Sequence, residues 1–161
     1  VWTTTPWTLT ANVALAVNPE LTYVRAKTEG IVAVLSAGTV KTALKDGYEI
    51  LGEVSGAELV GLTYSGPLDE IPFQVENQKT APRRVVAADW VGESDGTGIV
   101  HIAPGCGAID FELGQAENLG FIAPVTSNAR FRAECGDVLA GKHALEDVET
   151  VFGELQNRGR L

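Results

Sequence analysis

The stretch VWTTTPWTL at residues 1–9 and the stretch GTGIVHIAPGCGAID at residues 96–110 decide the fold and the site of this chain. The first stretch contains four threonines and two tryptophans, and Pro6 keeps the residue before it out of the helical region. We therefore predict a strand that ends in a turn. In the second stretch, an apolar run over 98–103 is broken by the glycine-rich segment 104–107, and helical spacing follows. This order predicts a strand, a turn and a helix.

Two residues of the second stretch are candidates for function. Asp110 falls in the first turn of the predicted helix, where the helix dipole favours a carboxylate, so its position alone favours a structural role. His101 lies on the apolar strand, where a histidine is more often a core residue, but strand alternation turns it away from Val100 and Ile102. The threonines at 3–5 would be ordinary strand residues in most proteins.

The composition predicts one domain. A chain of 161 residues with 45% apolar residues buries enough surface for a single core, so we assign residues 1–161 to one domain. The sequence has no Met and opens directly in a strand motif, from which we expect a segment excised from a longer chain. No apolar run reaches the roughly 18 to 20 residues of a membrane span, and no signal peptide is evident. We expect a cytoplasmic monomer without membrane contact.

Charge and cysteine content exclude two classes of function. The 12 basic and 21 acidic residues give a net charge of −9, which argues against a dedicated nucleic-acid-binding module. Cys106 and Cys135 are too few and too far apart for a zinc site or a disulfide scaffold. We expect two reduced thiols and no metal.

The remaining pattern predicts the fold class. Segments rich in Val, Leu and Tyr predict strands at 12–17, 21–27, 31–35, 48–54 and 84–91. Helical spacing predicts helices at 38–45, 108–118 and 143–157, whereas the polar, proline-containing segment 68–83 is predicted to be a loop. Many short strands without a β-α-β period exclude a doubly wound sheet. They predict an α+β, mainly β fold with a barrel-like β core and about three peripheral helices.

The two motifs resemble the editing (connective polypeptide 1) domain of isoleucyl-tRNA synthetase, in the class I aminoacyl-tRNA synthetase family. The likeness rests on WTTTPWTL followed by Ala11-Asn12, on GTGIVHIAPG and on the Gly-Ala-x-Asp-Phe-Glu helix, and it extends over nearly the whole chain. At the positions that match residues 3–7, the valyl and leucyl editing domains look like Thr-Thr-Arg-Pro-Glu or Thr-Thr-Arg-Pro-Asp. Thr5 and Trp7 stand here in place of the arginine and the acid, which points to the isoleucyl type. The fold that the resemblance implies is the barrel-like one predicted above.

The resemblance implies post-transfer editing: hydrolysis of mischarged Val-tRNA(Ile), with valyl-adenylate as a further candidate. One methylene gives only about 10- to 200-fold discrimination in an apolar site, and isoleucyl-tRNA synthetase acting on valine is the well-known example. A second, smaller site that excludes isoleucine by overpacking corrects this error. The implied reaction is attack of an oriented water on the ester, helped by the vicinal ribose hydroxyl rather than by a strong protein base.

The resemblance also implies site residues. Asp110 would bind the α-ammonium group, Trp7 would shape the pocket for the side chain, and the threonine run would bind the terminal adenosine and position the water. The implied catalytic residues are Thr4, Thr5, His101 and Asp110. The implied substrate-binding residues are Thr3, Trp7, Thr8, Asn12, His101 and Asp110. Cys106, where relatives often carry histidine, is not a nucleophile. Thr10 in place of the usual proline and Ile109 in place of a common acid are departures that would weaken editing.

The implied partners are the 3′ end of aminoacylated tRNA(Ile), its valine moiety and the rest of the synthetase in cis. The sequence lacks the HIGH and KMSKS motifs, so ATP and Mg²⁺ would serve only the catalytic domain of the parent enzyme, and this segment would need no cofactor. Two other functions stay open. One is a non-catalytic editing-like module that binds an RNA 3′ end, and the other is an editing domain of the valyl type that acts on Thr-tRNA(Val).

Overall fold

The computed structural model describes residues 1–94 and 96–160, so Asp95 and Leu161 lie outside the described residues. Among the described residues, helices account for 31% and strands for 23%, which confirms the mixed α+β class, whereas the expected predominance of strand is not found. The residues form two compact units. The first unit comprises 1–3, 15–63 and 84–101, and the second comprises 4–14, 64–83 and the chain from 102 onward. The assignment of the whole chain to one domain stays a prediction.

In the described residues, six strands form two sheets of three strands each. The strands are β1 (Ala14–Val17), β2 (Thr22–Thr28), β3 (Ile31–Ser36), β4 (Tyr48–Ser55), β5 (Arg84–Ala87) and β6 (Val100–Ile102). The strand order is β5-β1-β6 in one sheet and β3-β2-β4 in the other, where β2 pairs antiparallel with both neighbours. Among the described residues these strands do not close into the barrel that was predicted, because each sheet ends at an edge strand on both sides.

Five α-helices accompany the sheets in the part of the chain that the structure describes. They are α1 (Val40–Leu44), α2 (Gly56–Leu59), α3 (Pro72–Thr80), α4 (Ala108–Ala116) and α5 (Val148–Asn157). Short 3₁₀ helices span Pro6–Ala11, Ala37–Thr39 and Ala133–Cys135. The helices predicted at 38–45, 108–118 and 143–157 are confirmed as α1, α4 and α5 with shorter bounds. Within 1–94 and 96–160, no helix has the length and apolar character needed to cross a membrane.

The strand predicted for the threonine run is wrong, because residues Pro6–Ala11 form a 3₁₀ helix. Pro6 occupies the first helical position, where a missing N–H costs nothing. The hydroxyls of Thr8 and Thr10 donate to the carbonyls of Thr5 and Trp7, each at 2.8 Å and each three residues back. These bonds reinforce the i to i+3 turns that define a 3₁₀ helix.

The loop predicted at 68–83 is also wrong in its centre, where α3 runs from Pro72 to Thr80. Its one fully buried side chain is Gln74, which is polar. A helix that buries an amide instead of an apolar stripe lacks the period from which helices are predicted.

The first unit has a core centred on Tyr23 in β2, which is fully buried. The Tyr23 hydroxyl accepts a hydrogen bond from the Asn18 backbone N–H at 3.0 Å and donates one to the Gly98 carbonyl at 2.8 Å. Gly98 has a φ of +67°, and a Cβ there would lie 2.5 Å from the Ser36 Cβ. Tyr23 and Ser36 therefore hold the turn that leads into β6.

Candidate active site

The second unit contains most of the predicted site, beginning with the Pro6–Ala11 helix. Thr4 and Thr5 precede it and are exposed, whereas Thr8 is 7% exposed and bonds to the Thr5 carbonyl. Trp7 is half-buried against an apolar cluster that includes Leu9 and Leu155. Its buried indole N–H has no hydrogen-bond partner among residues 1–94 and 96–160. One short segment thus carries two exposed threonines and a half-buried tryptophan.

Asn12 follows this helix and is 1% exposed. Its Nδ2 donates to the Ala14 carbonyl at 3.0 Å, and its Oδ1 accepts a hydrogen bond from the Tyr64 hydroxyl at 2.7 Å. Burial raises the pKa of Tyr64 well above its usual value, so the phenol keeps the proton it donates. The structure therefore gives Asn12 a role in holding the backbone, while the substrate contact implied for it stays a prediction.

Asp110 lies in the first turn of α4 and is half-buried. Its Oδ1 accepts a hydrogen bond from the backbone N–H of Ala103 at 2.8 Å. The turn between them is closed by a second hydrogen bond, from the N–H of Cys106 to the Ala103 carbonyl at 2.8 Å. A Cβ at position 107 would lie 2.4 Å from Asp110 Oδ2, so Gly107 leaves room for the carboxylate. The carboxylate is therefore held against the end of β6.

The backbone joins these two parts of the second unit. The N–H of Val13 donates to the carbonyl of Ile102 at 2.9 Å. Ala11, Val13 and Ala103 share one buried apolar cluster. The segment that carries Trp7 and Thr8 is therefore followed directly by Val13, which pairs with Ile102. Ile102 precedes Ala103, whose N–H binds Asp110.

The cysteine nearest to Asp110 is not suited to nucleophilic attack. Burial, together with the negative charge of Asp110, raises the pKa of the Cys106 thiol to about 12. Because the thiolate is the nucleophilic form, a thiol with this pKa is inert near neutral pH.

Thr3 and His101 belong to the first unit, unlike the other residues of the predicted site. Thr3 is half-buried. His101 is the central residue of β6 and is half-buried, between Val100, which is 37% exposed, and the fully buried Ile102. No group of three or more His, Cys, Asp or Glu side chains in the described part of the chain could hold a metal ion.

Sequence reasoning missed the polar side chains that support residues 10–12. These are Tyr64, Asp69, Gln74 and Arg83. Tyr64, Gln74 and Arg83 lie 52 to 71 positions along the chain from the residues that they contact at 10–12. Asp69 acts through its ion pair with Arg83. The four residues follow no fixed spacing. No local pattern in the sequence could have identified them.

Comparison with known proteins places the chain among synthetases. No protein-family model matches it. It is 41% identical over 162 residues to isoleucine–tRNA ligase of Methanothermobacter thermautotrophicus, a match that covers 100% of this chain and 15% of that protein. It is 42% identical over 151 residues to isoleucine–tRNA ligase 2 of Bacillus cereus, which covers 93% of this chain and 14% of that protein. The chain thus spans about one seventh of the length of these relatives.

Solved structures show the same fold. The crystal structure of GlLeuRS-CP1 matches with a TM-score of 0.73 and 16% identity, over 98% of this chain and 80% of that chain. The editing domain of P. knowlesi cytosolic leucyl-tRNA synthetase matches with a TM-score of 0.54 and 16% identity, over 72% of this chain and 50% of that chain. By fold, the chain is similar to the CP1 and editing domains of leucyl-tRNA synthetases. By sequence, it belongs to the isoleucyl-tRNA synthetase family.

Proposed function

We propose that this domain hydrolyses the ester of Val-tRNA(Ile), with valyl-adenylate as a second substrate. The observation that carries the proposal is the fixed carboxylate of Asp110, bonded to the Ala103 N–H in a chain about two-fifths identical to isoleucine–tRNA ligases. A charged hydrogen bond to a positioned carboxylate is strong and directional, as the capture of an α-ammonium group requires. Asp110 would anchor the amino acid by this group.

The threonine run would hold the reacting end of the tRNA. Thr4 and Thr5 are exposed at the start of this segment, and we assign the terminal adenosine and the hydrolytic water to them. In the proposed step, the water oxygen attacks the ester carbonyl and the bond between the acyl carbon and the ribose oxygen breaks. The products are valine and tRNA with a free terminal hydroxyl. The vicinal ribose hydroxyl assists, and orientation rather than a strong protein base supplies the catalysis.

Trp7 would set the size of the pocket. Its ring is half-buried against the core, so the side chains packed around it would restrict its movement. An extra methylene in a packed apolar site forces neighbouring side chains to move, at a cost of about 1 to 3 kcal/mol. Valine would fit and isoleucine would not.

The remaining partners follow from charge and length. With a net charge of −9, the domain is poorly suited to grip a whole tRNA, so the rest of the synthetase would hold it in cis. The domain would meet only the 3′ end, in the cytoplasm and as a monomeric unit. It would use no cofactor of its own, and ATP and Mg²⁺ would serve the synthetic domain.

The test is deacylation of three substrates by the 161-residue chain: Val-tRNA(Ile), Ile-tRNA(Ile) and Thr-tRNA(Val). We expect valine to be released from tRNA(Ile) at least several-fold faster than isoleucine. Preference for Thr-tRNA(Val) would move the assignment to the valyl type. Binding of the RNA 3′ end without hydrolysis would instead indicate a non-catalytic module.

A further inference from the structure

A buried polar cluster in the second unit converges on the backbone at residues 10–12. Arg83 Nε donates to the carbonyl of Asn12 at 3.0 Å. Gln74 Nε2 donates to the same carbonyl at 3.0 Å and to that of Thr10 at 2.7 Å. With Tyr64 on the Asn12 side chain, three long-range donors hold one short segment. This segment is the C-terminal end and the C-cap of the 3₁₀ helix that carries Trp7 and Thr8.

Arg83 is itself held in one orientation. Its Nη1 forms an ion pair with Asp69 Oδ1, and Asp69 Oδ2 accepts a hydrogen bond from the Gly66 N–H at 2.9 Å. A Cβ at Gly66 would lie 2.5 Å from Arg83 Cζ, so a glycine is needed for the backbone to pass over the guanidinium group. The side chain cannot turn without breaking the ion pair or meeting this backbone.

Burial of this polar cluster costs free energy, because a charge and several polar atoms are removed from water. Arg83 is 2% exposed, and burial lowers the pKa of its guanidinium group, as expected when a charge is removed from water. Replacing a buried ion pair by apolar residues of similar volume is often neutral or stabilising. Arg83 Nη2 and Gln74 Oε1 are also buried without a hydrogen-bond partner in the described part of the chain. Stability alone does not account for this arrangement, and its hydrogen bonds point to a role in fixing the backbone at residues 10–12.

We propose that Arg83, oriented by Asp69, is a positioning residue for the editing reaction. By fixing the Asn12 carbonyl it fixes the end of the 3₁₀ helix, and through it the placement of Trp7 and Thr8. Arg83 touches neither substrate nor water in this role. The proposal rests on the proposed editing function.

The test is Arg83→Lys in the 161-residue chain, because lysine keeps the charge but loses the planar fork that bonds Asp69 and Asn12 together. Deacylation of Val-tRNA(Ile) is measured well below the unfolding temperature of each variant. A displacement of about 1 Å in a positioned group can cost up to about 100-fold in rate, so we expect kcat to fall about ten-fold or more, with KM changed less than about two-fold. Arg130→Lys is the matched control, since Arg130 is exposed and its Nη1 donates to the Gly141 carbonyl.

A folded Arg83→Lys variant with unchanged kcat would overturn the proposal. If that variant does not fold, Asp69→Asn decides, because it removes the charge that orients Arg83 and leaves Arg83 itself in place. A fall in its kcat supports the positioning role, and an unchanged kcat refutes it.

A second readout does not depend on catalysis. In ¹⁵N-labelled protein, the Trp7 indole and Thr8 amide signals should shift in Arg83→Lys and not in Arg130→Lys. If the unmodified chain fails to hydrolyse Val-tRNA(Ile), the editing function fails. The spectra then still decide whether Arg83 positions the helix, and unmoved signals would exclude it.

Discussion

The side chain of Asp110 accepts a hydrogen bond from the backbone N–H of Ala103 at 2.8 Å, which ties the first turn of α4 to the end of β6. This carboxylate therefore has a structural task in addition to the proposed capture of an ammonium group. Replacement by alanine removes both, so a loss of activity in Asp110→Ala alone would not separate them.

Asp110→Asn separates the two tasks. The asparagine oxygen still accepts from Ala103, so the free energy of unfolding should change little, whereas the charge is lost. A hydrogen bond to a charged group contributes about 1.5 to 3 kcal/mol, which corresponds to a fall of about 10- to 150-fold in hydrolysis of Val-tRNA(Ile). Glu112→Gln, exposed on the same helix, is the control and should keep the full rate. Wild-type activity in Asp110→Asn would leave the residue with its structural task alone.

Gly107→Ala tests the room around the same carboxylate. The added methyl group would lie 2.4 Å from Asp110 Oδ2, so the carboxylate or the turn must move. We expect the free energy of unfolding to fall by about 1 to 3 kcal/mol and hydrolysis of Val-tRNA(Ile) to fall with it. The control is Gly153→Ala in α5, where a Cβ meets nothing within 4 Å and alanine should stabilise the helix. Chemical denaturation and deacylation rates measure both effects.

Thr5→Ala tests the proposed selection against isoleucine. Thr5 lies two residues before Trp7, which would shape the amino-acid pocket, so trimming Thr5 should enlarge that pocket, and the ratio of the Ile-tRNA(Ile) rate to the Val-tRNA(Ile) rate should rise. Thr42→Ala, an exposed threonine of α1, is the control. An unchanged ratio in Thr5→Ala would contradict a place for Thr5 beside the pocket.

Tyr23→Phe tests the support of β6 in the first unit. The change leaves the Asn18 N–H and the Gly98 carbonyl without their buried partner. An unsatisfied buried group costs about 1 to 3 kcal/mol, and we expect the free energy of unfolding to fall by about that amount. Tyr48→Phe in β4 removes a hydroxyl from a half-buried tyrosine and should cost less. Equal losses in the two variants would argue against the bridging role of Tyr23.

The two thiols give a pH-dependent prediction. Burial raises the pKa of Cys106 and of Cys135 to about 12, from the ordinary value of 9.0. Alkylation by iodoacetamide should therefore be slow at pH 8 in the folded chain and fast after unfolding.

The raised pKa values of the two thiols also determine whether the stability of the fold rises or falls with pH. The folded state binds these protons more tightly than the unfolded state, so their contribution to stability is complete below about pH 9 and is lost as the pH rises toward 12. Cys106→Ala should flatten this decline. A decline of equal slope in that variant would show that Cys106 does not contribute.

The sequence predicted those elements whose signal is local. Helices α4 and α5 were found because apolar residues recur at helical spacing, and α5 buries Val151 and Leu155 of that stripe. Asp110 was placed correctly in the first turn of α4 for the same reason.

The errors have physical causes that no local pattern records. The threonines at 3–8 have strand propensity, but Pro6 and the Thr8 hydroxyl favour a tight turn instead. Helix α3 is stabilised by bonds from Gln74 to carbonyls 62 and 64 residues away. Long-range pairing of polar groups is decided by the folded chain as a whole, and single-sequence periodicity does not contain it.

The dependence of residues 10–12 on donors from 64, 74 and 83 limits how the domain can be re-engineered. Segment 68–83 has the composition of a surface loop that tolerates shortening, yet its removal would leave the Thr10 and Asn12 carbonyls buried without donors. Exchange of editing specificity between related synthetases would therefore fail if only the threonine-rich segment were transplanted. Residues 4–14 should be moved together with residues 64–83, which carry the donors to the Thr10 and Asn12 carbonyls.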